Sequence, residues 1–506
     1  MIQQIKYYEE IEEFLSSSLQ SHEGLDLYFN ENQLIDEEHV SKLGSALANC
    51  TNLSNLSLSI DGNQIGVQGA LGLSSGLGKC IKLQNLELCL DNNQIDHEPV
   101  SVLGSALVES TQLSNLTLEL RNNIIGYQGV SGFDFNLAKC NNLSNLKIYL
   151  IGNKIGDKGL CELGSNLLKF TTITNLTLDL ALNSISDQGF SGLYSGLVYC
   201  TTLSKLDLDL QSNYIEFCVC SIMNINFQNL TLNLSENSIH SKGAFQLGSG
   251  LAKCYNLSSL TLHLSGNQIQ NEGAQVLGST LAQCNILTNL TLYLDGIQIS
   301  SVGVQSLGSS LRKFSNLTYL KLSLSQNQIC DEGSQSLGSD LVTRQDLQKL
   351  TLYLAGNNIG HKGASDLSSA IAQCTNLSNL GLHLKKNQIG DVGVSCLGST
   401  LEKCTNLTNL ELGFSNNFIS NESGSVLGFS LGKCTNLQYL RLDLQDNQIN
   451  DVGISDLCFG LRKCPNLSNL SLFLSVKEIN KSQQFKVNRK YLKLKRLVVF
   501  RIVFFS

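Results

Sequence analysis

Proline is almost missing from this chain, with two residues in 506, so no proline-rich linker divides it. Long apolar runs are missing too. No stretch reaches the 18 or so apolar residues that a membrane-spanning helix needs, and the run Leu497–Phe505 is short and carries Arg501. Met1 to Gln20 is charged and amphipathic without a continuous apolar core, as expected of a chain that has no secretory leader and works in the cytoplasm. Apolar residues make up 42% and charged ones 15%, a composition that folds.

Catalytic signatures are also missing. There is no G-x-x-x-x-G-K-S/T phosphate loop, and Gly76-Leu-Gly78-Lys79 has the wrong spacing for one. No H-E-x-x-H or C-x-x-C occurs, and neither H-R-D nor D-F-G is present. The pair Cys218-x-Cys220 has no further cysteine or histidine nearby to complete a metal set. The expectation is a protein that is not an enzyme and holds no cofactor or metal.

Charge is unevenly spread. The formal net charge is −7, but residues 477–506 carry nine Lys/Arg and one acidic residue, which leaves −15 for everything before them. A body that acidic is a poor match for phosphate backbones and argues against nucleic acid. Of the 17 cysteines, ten occupy one repeated position, from Cys50 and Cys80 to Cys434 and Cys464. The same position takes Ser110, Phe170, Phe314 and Arg344, so it is a packing slot and the cysteines are expected as reduced thiols. Fourteen Asn-Leu-Ser/Thr triplets match a glycosylation signal but follow from the repeat itself.

What the chain has in abundance is one recurring asparagine. It runs from Asn32 through Asn63, Asn93 and Asn123 to Asn447 in steps of 30 residues, with one step of 31 and one of 24 between Asn213 and Asn237. Ile297 and Lys477 fill the beat where asparagine is absent, giving 16 units. A fixed period of this size means a solenoid whose units pack on their neighbours. Ahead of Asn63, Leu56, Leu58 and Ile60 alternate as in a half-buried strand, with Ser57, Ser59 and Asp61 facing solvent. After Asn153, Leu160, Leu163, Leu167 and Phe170 recur at helical steps, and Asp157, Asp187, Asp331, Asp391 and Asp451 stand where N-caps are wanted. The turn between the two buries backbone groups that no ladder satisfies. A stacked column of side-chain amides, able to donate and accept, answers that need.

The L-x-L-x-x-N-x-I core, as in Leu58-Ser-Ile60-Asp-Gly-Asn63-Gln-Ile65, resembles the leucine-rich-repeat family, specifically its ribonuclease-inhibitor-like class. The resemblance covers about residues 25–479 and implies an α/β horseshoe, a solenoid with parallel strands on the concave face and helices on the convex face. Strand spacing of about 4.8 Å against helix spacing of about 8–10 Å would bend such an array. Residues 1–24 are expected as an N-terminal capping helix with Tyr8, Ile11, Leu15 and Leu19 on one face, and residues 25–479 as the array, with a shortened unit at 214–223. Residues 480–506 are expected as a basic and apolar cap, in which Tyr491–Phe500 alternates like one more strand.

Binding is expected on the outward strand positions four residues before each asparagine. Glu119, Tyr149, Asp179 and Asp209 belong to an acidic patch that favours a basic partner surface. His263, Tyr293, Tyr353 and His383 form an aromatic and histidine track suited to protein contacts. A scaffold for protein–protein interaction is the leading expectation. Ran GTPase-activating proteins share this repeat class and act through arginine and asparagine in early loops, and Arg121-Asn122-Asn123 is the one match here. A fragment of a repeat–kinase protein without its kinase domain is a further alternative.

Overall fold

The computed structural model describes residues 5–29, 35–63, 65–137, 140–217, 227–475 and 499–505. They divide into two compact units, Met1–Ile239 with Ser249–Leu257, and His240–Gly248 with Ser258–Ser506. The first holds strands β1 (Ile5–Tyr8), β2 (Gly24–Tyr28), β3 (Asn55–Ser59), β4 (Asn85–Cys89), β5 (Asn115–Glu119), β6 (Asn145–Tyr149), β7 (Asn175–Asp179), β8 (Lys205–Asp209) and β9 (Asn229–Asn233). The second holds β10 (Ser259–His263), β11 (Asn289–Tyr293), β12 (Tyr319–Ser323), β13 (Lys349–Tyr353), β14 (Asn379–His383), β15 (Asn409–Gly413), β16 (Tyr439–Asp443), β17 (Asn469–Ser475) and β18 (Val499–Phe505). Within each unit successive strands pair in parallel, with equivalent repeat positions opposite each other, as Leu118 faces Ile148 and Leu322 faces Leu352. Between most of them runs a helix of 11 or 12 residues. This is an α/β solenoid, not a closed barrel.

Apolar spacing explains the core. Leu56 and Leu58 point inward from β3, and Leu160, Leu163 and Leu167 point inward from the helix Gly156–Leu167. Leu322 is fully buried, and its truncation to alanine would forfeit about 2–5 kcal/mol through lost transfer energy and a cavity.

The repeated asparagines are the buried polar column that the turn requires. Asn123 Oδ1 accepts from the backbone N–H groups of Asn93 (3.0 Å) and Ile95 (2.9 Å) of the preceding repeat. Its Nδ2 donates to the carbonyls of Leu90 and Leu120, both at 3.0 Å. Ahead of each described asparagine of the column the residue takes left-handed backbone, with φ +69° at Gly62 and Gly152 and +57° even at Leu182. Glycine and asparagine fill much of this column because they enter that region at little cost.

The repeated aspartates do not cap their own helices. Asp157 lies inside Gly156–Leu167, whose N-cap is Ile155 with no side-chain cap. Its Oδ1 accepts instead from the N–H groups of Ser186 (2.7 Å) and Gly189 (3.0 Å), at the start of the next repeat's helix. Asp331 does the same for Gly360 (2.7 Å) and Gly363 (3.0 Å). Parallel neighbouring helices put each first-turn carboxylate beside the next helix's unpaired N–H groups, where the dipole also favours it.

The N-terminal segment departs from the expected single helix. Ile5–Tyr8 forms β1 and pairs with β2, followed by a short helix Ile11–Leu15 and a turn of 3-10 helix at Leu19–Ser21. A strand satisfies the backbone groups on the open edge of β2, which a helix laid across it cannot. Tyr8, Phe14 and buried His22 then cluster edge to face, with ring centroids 5.7 and 5.9 Å from Tyr8. Of the shortened unit, residues 218–226 lie outside the described residues, as do 476–498 of the C-terminal segment. β8 and β9 remain in register across the short unit, and β18 pairs in parallel with β17.

No disulfide joins the described cysteines. In the repeated slot Cys80, Cys200 and Cys374 donate their S–H to the carbonyls of Leu47, Leu167 and Leu341, which end the preceding helices, at 3.3–3.5 Å. Burial pushes their thiols up to about 11 or 12, so they stay protonated and inert at neutral pH.

Two outcomes follow from this packing. Asn123→Ala strands two buried N–H groups and is expected to cost about 2–4 kcal/mol in urea titrations, against less than about 0.5 for exposed Lys82→Ala. Thiol titration of the denatured, unreduced protein should approach the 17 cysteines of the sequence. In the native protein at pH 8, Cys80, Cys200 and Cys374 should stay unlabelled under the same reagent.

Candidate functional site

The eight candidate residues fall at equivalent ends of their strands, four in each unit. In the first unit Glu119, Tyr149, Asp179 and Asp209 stand opposite one another across β5, β6, β7 and β8. All four are partly exposed on the strand face. Arg121 binds Glu119 and also meets Asp91 at 2.8 Å, and its guanidinium lies 4.4 Å from the centre of the Tyr149 ring. One end of the acidic patch is therefore neutralised from within.

The other end is not. Burial pushes the Asp179 carboxyl up to about 6, with the nearby Asp209 carboxylate adding to the rise. Asp209 Oδ1 accepts from the Gln211 N–H at 2.8 Å, and its Oδ2 from Asn233 Nδ2 at 2.8 Å. Two carboxylates on neighbouring strands face each other, and the one with fewer donors carries the strain.

Glu87, Cys89 and Glu119 bring three potential ligand atoms within 4.8 Å of one another. Burial first, then Glu119, Asp61 and further carboxylates, push the Cys89 thiol up to about 12, and Arg121 already occupies Glu119. A protonated thiol and an engaged carboxylate are poorly prepared ligands.

In the second unit the candidates form stacked pairs. His263 lies against Tyr293 with centroids 4.2 Å apart and planes 13° from parallel. Tyr353 lies against His383 at 4.3 Å and 5°. Between the two pairs rises Lys321 of β12, its Nζ 5.0 Å from the Tyr293 ring centre and 5.2 Å from that of Tyr353. The order across four registered strand pairs is His, Tyr, Ser, Tyr, His, with the lysine at the middle.

His383 lies flat because its neighbours have no side chains. A Cβ at Gly413 would come within 3.0 Å of His383 Nδ1, and one at Gly381 within 3.4 Å of its Nε2. Sunk among them, His383 has its pKa lowered to about 4, by burial first and then by Arg441, so the ring is neutral at physiological pH. Its Nε2 comes no nearer than 3.9 Å to Glu411.

Sequence spacing alone placed these residues on the strand face. It named Lys321 only as a flanking outward residue and did not show that it stands between two rings. A lysine two residues before its strand's end becomes central only once register sets it between two tyrosines.

A family model described as Leucine Rich repeat matches residues 256–278, 347–368, 380–398 and 433–458. The matched segments are leucine-rich repeats, and the same unit recurs in register along both parts of the fold, which supports a leucine-rich-repeat protein. No curated protein matches the chain. Among solved structures, the crystal structure of the Rad7 and Elc1 complex in yeast is similar at 15% identity and a TM-score of 0.35, over 92% of this chain and 88% of that one.

The raised carboxyl of Asp179 has a pH signature. Its folded pKa of about 6 lies above the ordinary 3.8, so the native state holds the proton more tightly than the unfolded chain. The stability this gives is complete below the ordinary value and lost as pH rises through about 6. Asp179→Asn, which cannot ionise, should therefore gain stability relative to the parent between pH 4 and pH 7. Urea midpoints that keep a constant gap over that range would contradict the assignment.

Proposed function

We propose that the protein is a non-enzymatic scaffold of the ribonuclease-inhibitor-like class that works in the cytoplasm and binds a protein partner on its strand face. The observation that carries this reading is the His263–Tyr293–Lys321–Tyr353–His383 track. Side chains from five consecutive registered strands interlock into one polar and aromatic surface. Rings held in place lose little entropy on binding, and tyrosine-rich surfaces are where interface energy concentrates. The acidic patch of Glu119, Tyr149, Asp179 and Asp209 is the second contact surface, suited to a basic region of a partner.

The competing reading, a GTPase-activating regulator acting through Arg121, requires an arginine able to reach into a partner's site. Arg121 is instead held by Asp91 and Glu119 and packed on Tyr149, which disfavours that role.

Replacing Tyr293 and Tyr353 together by alanine should weaken binding of a partner recovered by affinity capture at least about a hundredfold. Loss of the stacked pairs costs the fold only about 0.5–1.5 kcal/mol each, so circular dichroism should not change. Replacing Glu119 and Asp209 together should mainly alter on-rate and salt dependence. If neither double variant affects any recovered partner, the strand-face reading fails.

A further inference from the structure

The strands β11, β12, β13 and β14 carry no carboxylate in their residues, but they and the turn that follows carry Lys321, Lys349, Lys385 and Lys386. Among the described residues none of these four lysines forms an ion pair, and all but the half-buried Lys321 are well exposed. The nearest acids on this face are already engaged or peripheral. Asp295 takes hydrogen bonds from Ser323 Oγ and the Ser325 N–H, both at 2.6 Å, and from Ser265 Oγ at 3.3 Å. Glu411 borders the patch from β15. In a chain of net charge −7 this is a local cationic field on the strand face.

The aromatic rings narrow the choice of ligand. A base-stacking platform needs a free ring face. Here Tyr293 has His263 against one face and Lys321 beside its ring, and Tyr353 has His383 and the same Lys321. Burial opposes the charge on Lys321, but the neighbouring Tyr293 and Tyr353 outweigh it and raise its pKa, so the ammonium form is held between the two rings. A surface whose lysines form no ion pair and whose ring faces are covered calls for flexible acceptors.

We propose that this face binds an acidic segment of a protein partner, an extended stretch in which Glu or Asp side chains reach Lys321, Lys349 and Lys385 while the backbone lies over the tyrosine edges. The proposal rests on the strand-face reading above and names the partner's chemistry. It also gives the two units different preferences, a basic surface for the patch around Asp179 and an acidic one for the track around Lys321.

The test uses the full chain and fluorescein-labelled twelve-residue peptides of alternating Glu and Ser, or Lys and Ser, followed by anisotropy at low and moderate salt. The Glu peptide should bind, weaken with salt, and lose at least about tenfold in affinity in the Lys321→Gln, Lys385→Gln variant, while the Lys peptide is unaffected by that change. Lys385 is exposed and Lys321 half-buried, and circular dichroism verifies the fold of the variant. Failure of the Glu peptide to bind, or binding indifferent to both lysines, overturns the proposal. So does tighter binding of a twenty-nucleotide thymidine strand that is lost in the same variant. If the tyrosine double variant still loses its captured partner while the lysine variant keeps it, the strand-face reading stands and the acidic assignment alone falls.

Discussion

Everything in this fold depends on satisfying the backbone where each strand turns toward its helix. The chain leaves β5 through a left-handed residue, Asn122, and buries the N–H and carbonyl groups that follow. Backbone bonds between repeats, such as Asn122 N–H to the Ile151 carbonyl at 2.8 Å, satisfy only part of them. Asn123 does both jobs at once, accepting from Asn93 and Ile95 and donating to Leu90 and Leu120. An amide is short and uncharged and holds its acceptor oxygen and two donor hydrogens on separate atoms, and an unsatisfied buried group would cost about 1–3 kcal/mol at each repeat. Ile297 fits the same position buried and apolar, so the column tolerates an isolated interruption.

Each repeat also borrows from its neighbour on the helix side. Asp157, Asp331 and Asp391 close the helix start of the next repeat, and the slot cysteines close the helix end of the one before. Stability in such an array belongs to interfaces between units more than to units alone. Helices approach closely enough that a Cβ at Gly164 would strike the Gly192 carbonyl, so the small residues of this column are set by packing.

The strand face is released by that arrangement to vary. Leucines inside hold register, and the outward positions are free of that constraint. In the second unit they carry stacked His/Tyr pairs around a lysine. In the first they carry crowded carboxylates with one arginine held among them. The same scaffold thus presents two surfaces of opposite electrostatic character, each built from single residues one repeat apart.

Periodicity alone determined the strands, the helices, the buried amide column and the outward positions, because each depends on local alternation that repeats sixteen times. Candidate residues such as Tyr293 and Tyr353 were legible for that reason. Tertiary structure decided what those residues do. The aspartates read as local N-caps act across repeats, because parallel packing places them beside the next helix. Residues 5–8 form a strand, because an open sheet edge rewards pairing more than a helix would. His383 stacks on Tyr353 in space that Gly381 and Gly413 leave open, and burial there, with Arg441 nearby, keeps it neutral. Arg121 is captured by Asp91, thirty residues away in sequence and one strand away in space. Such contacts run across the period, where spacing along the chain carries no signal.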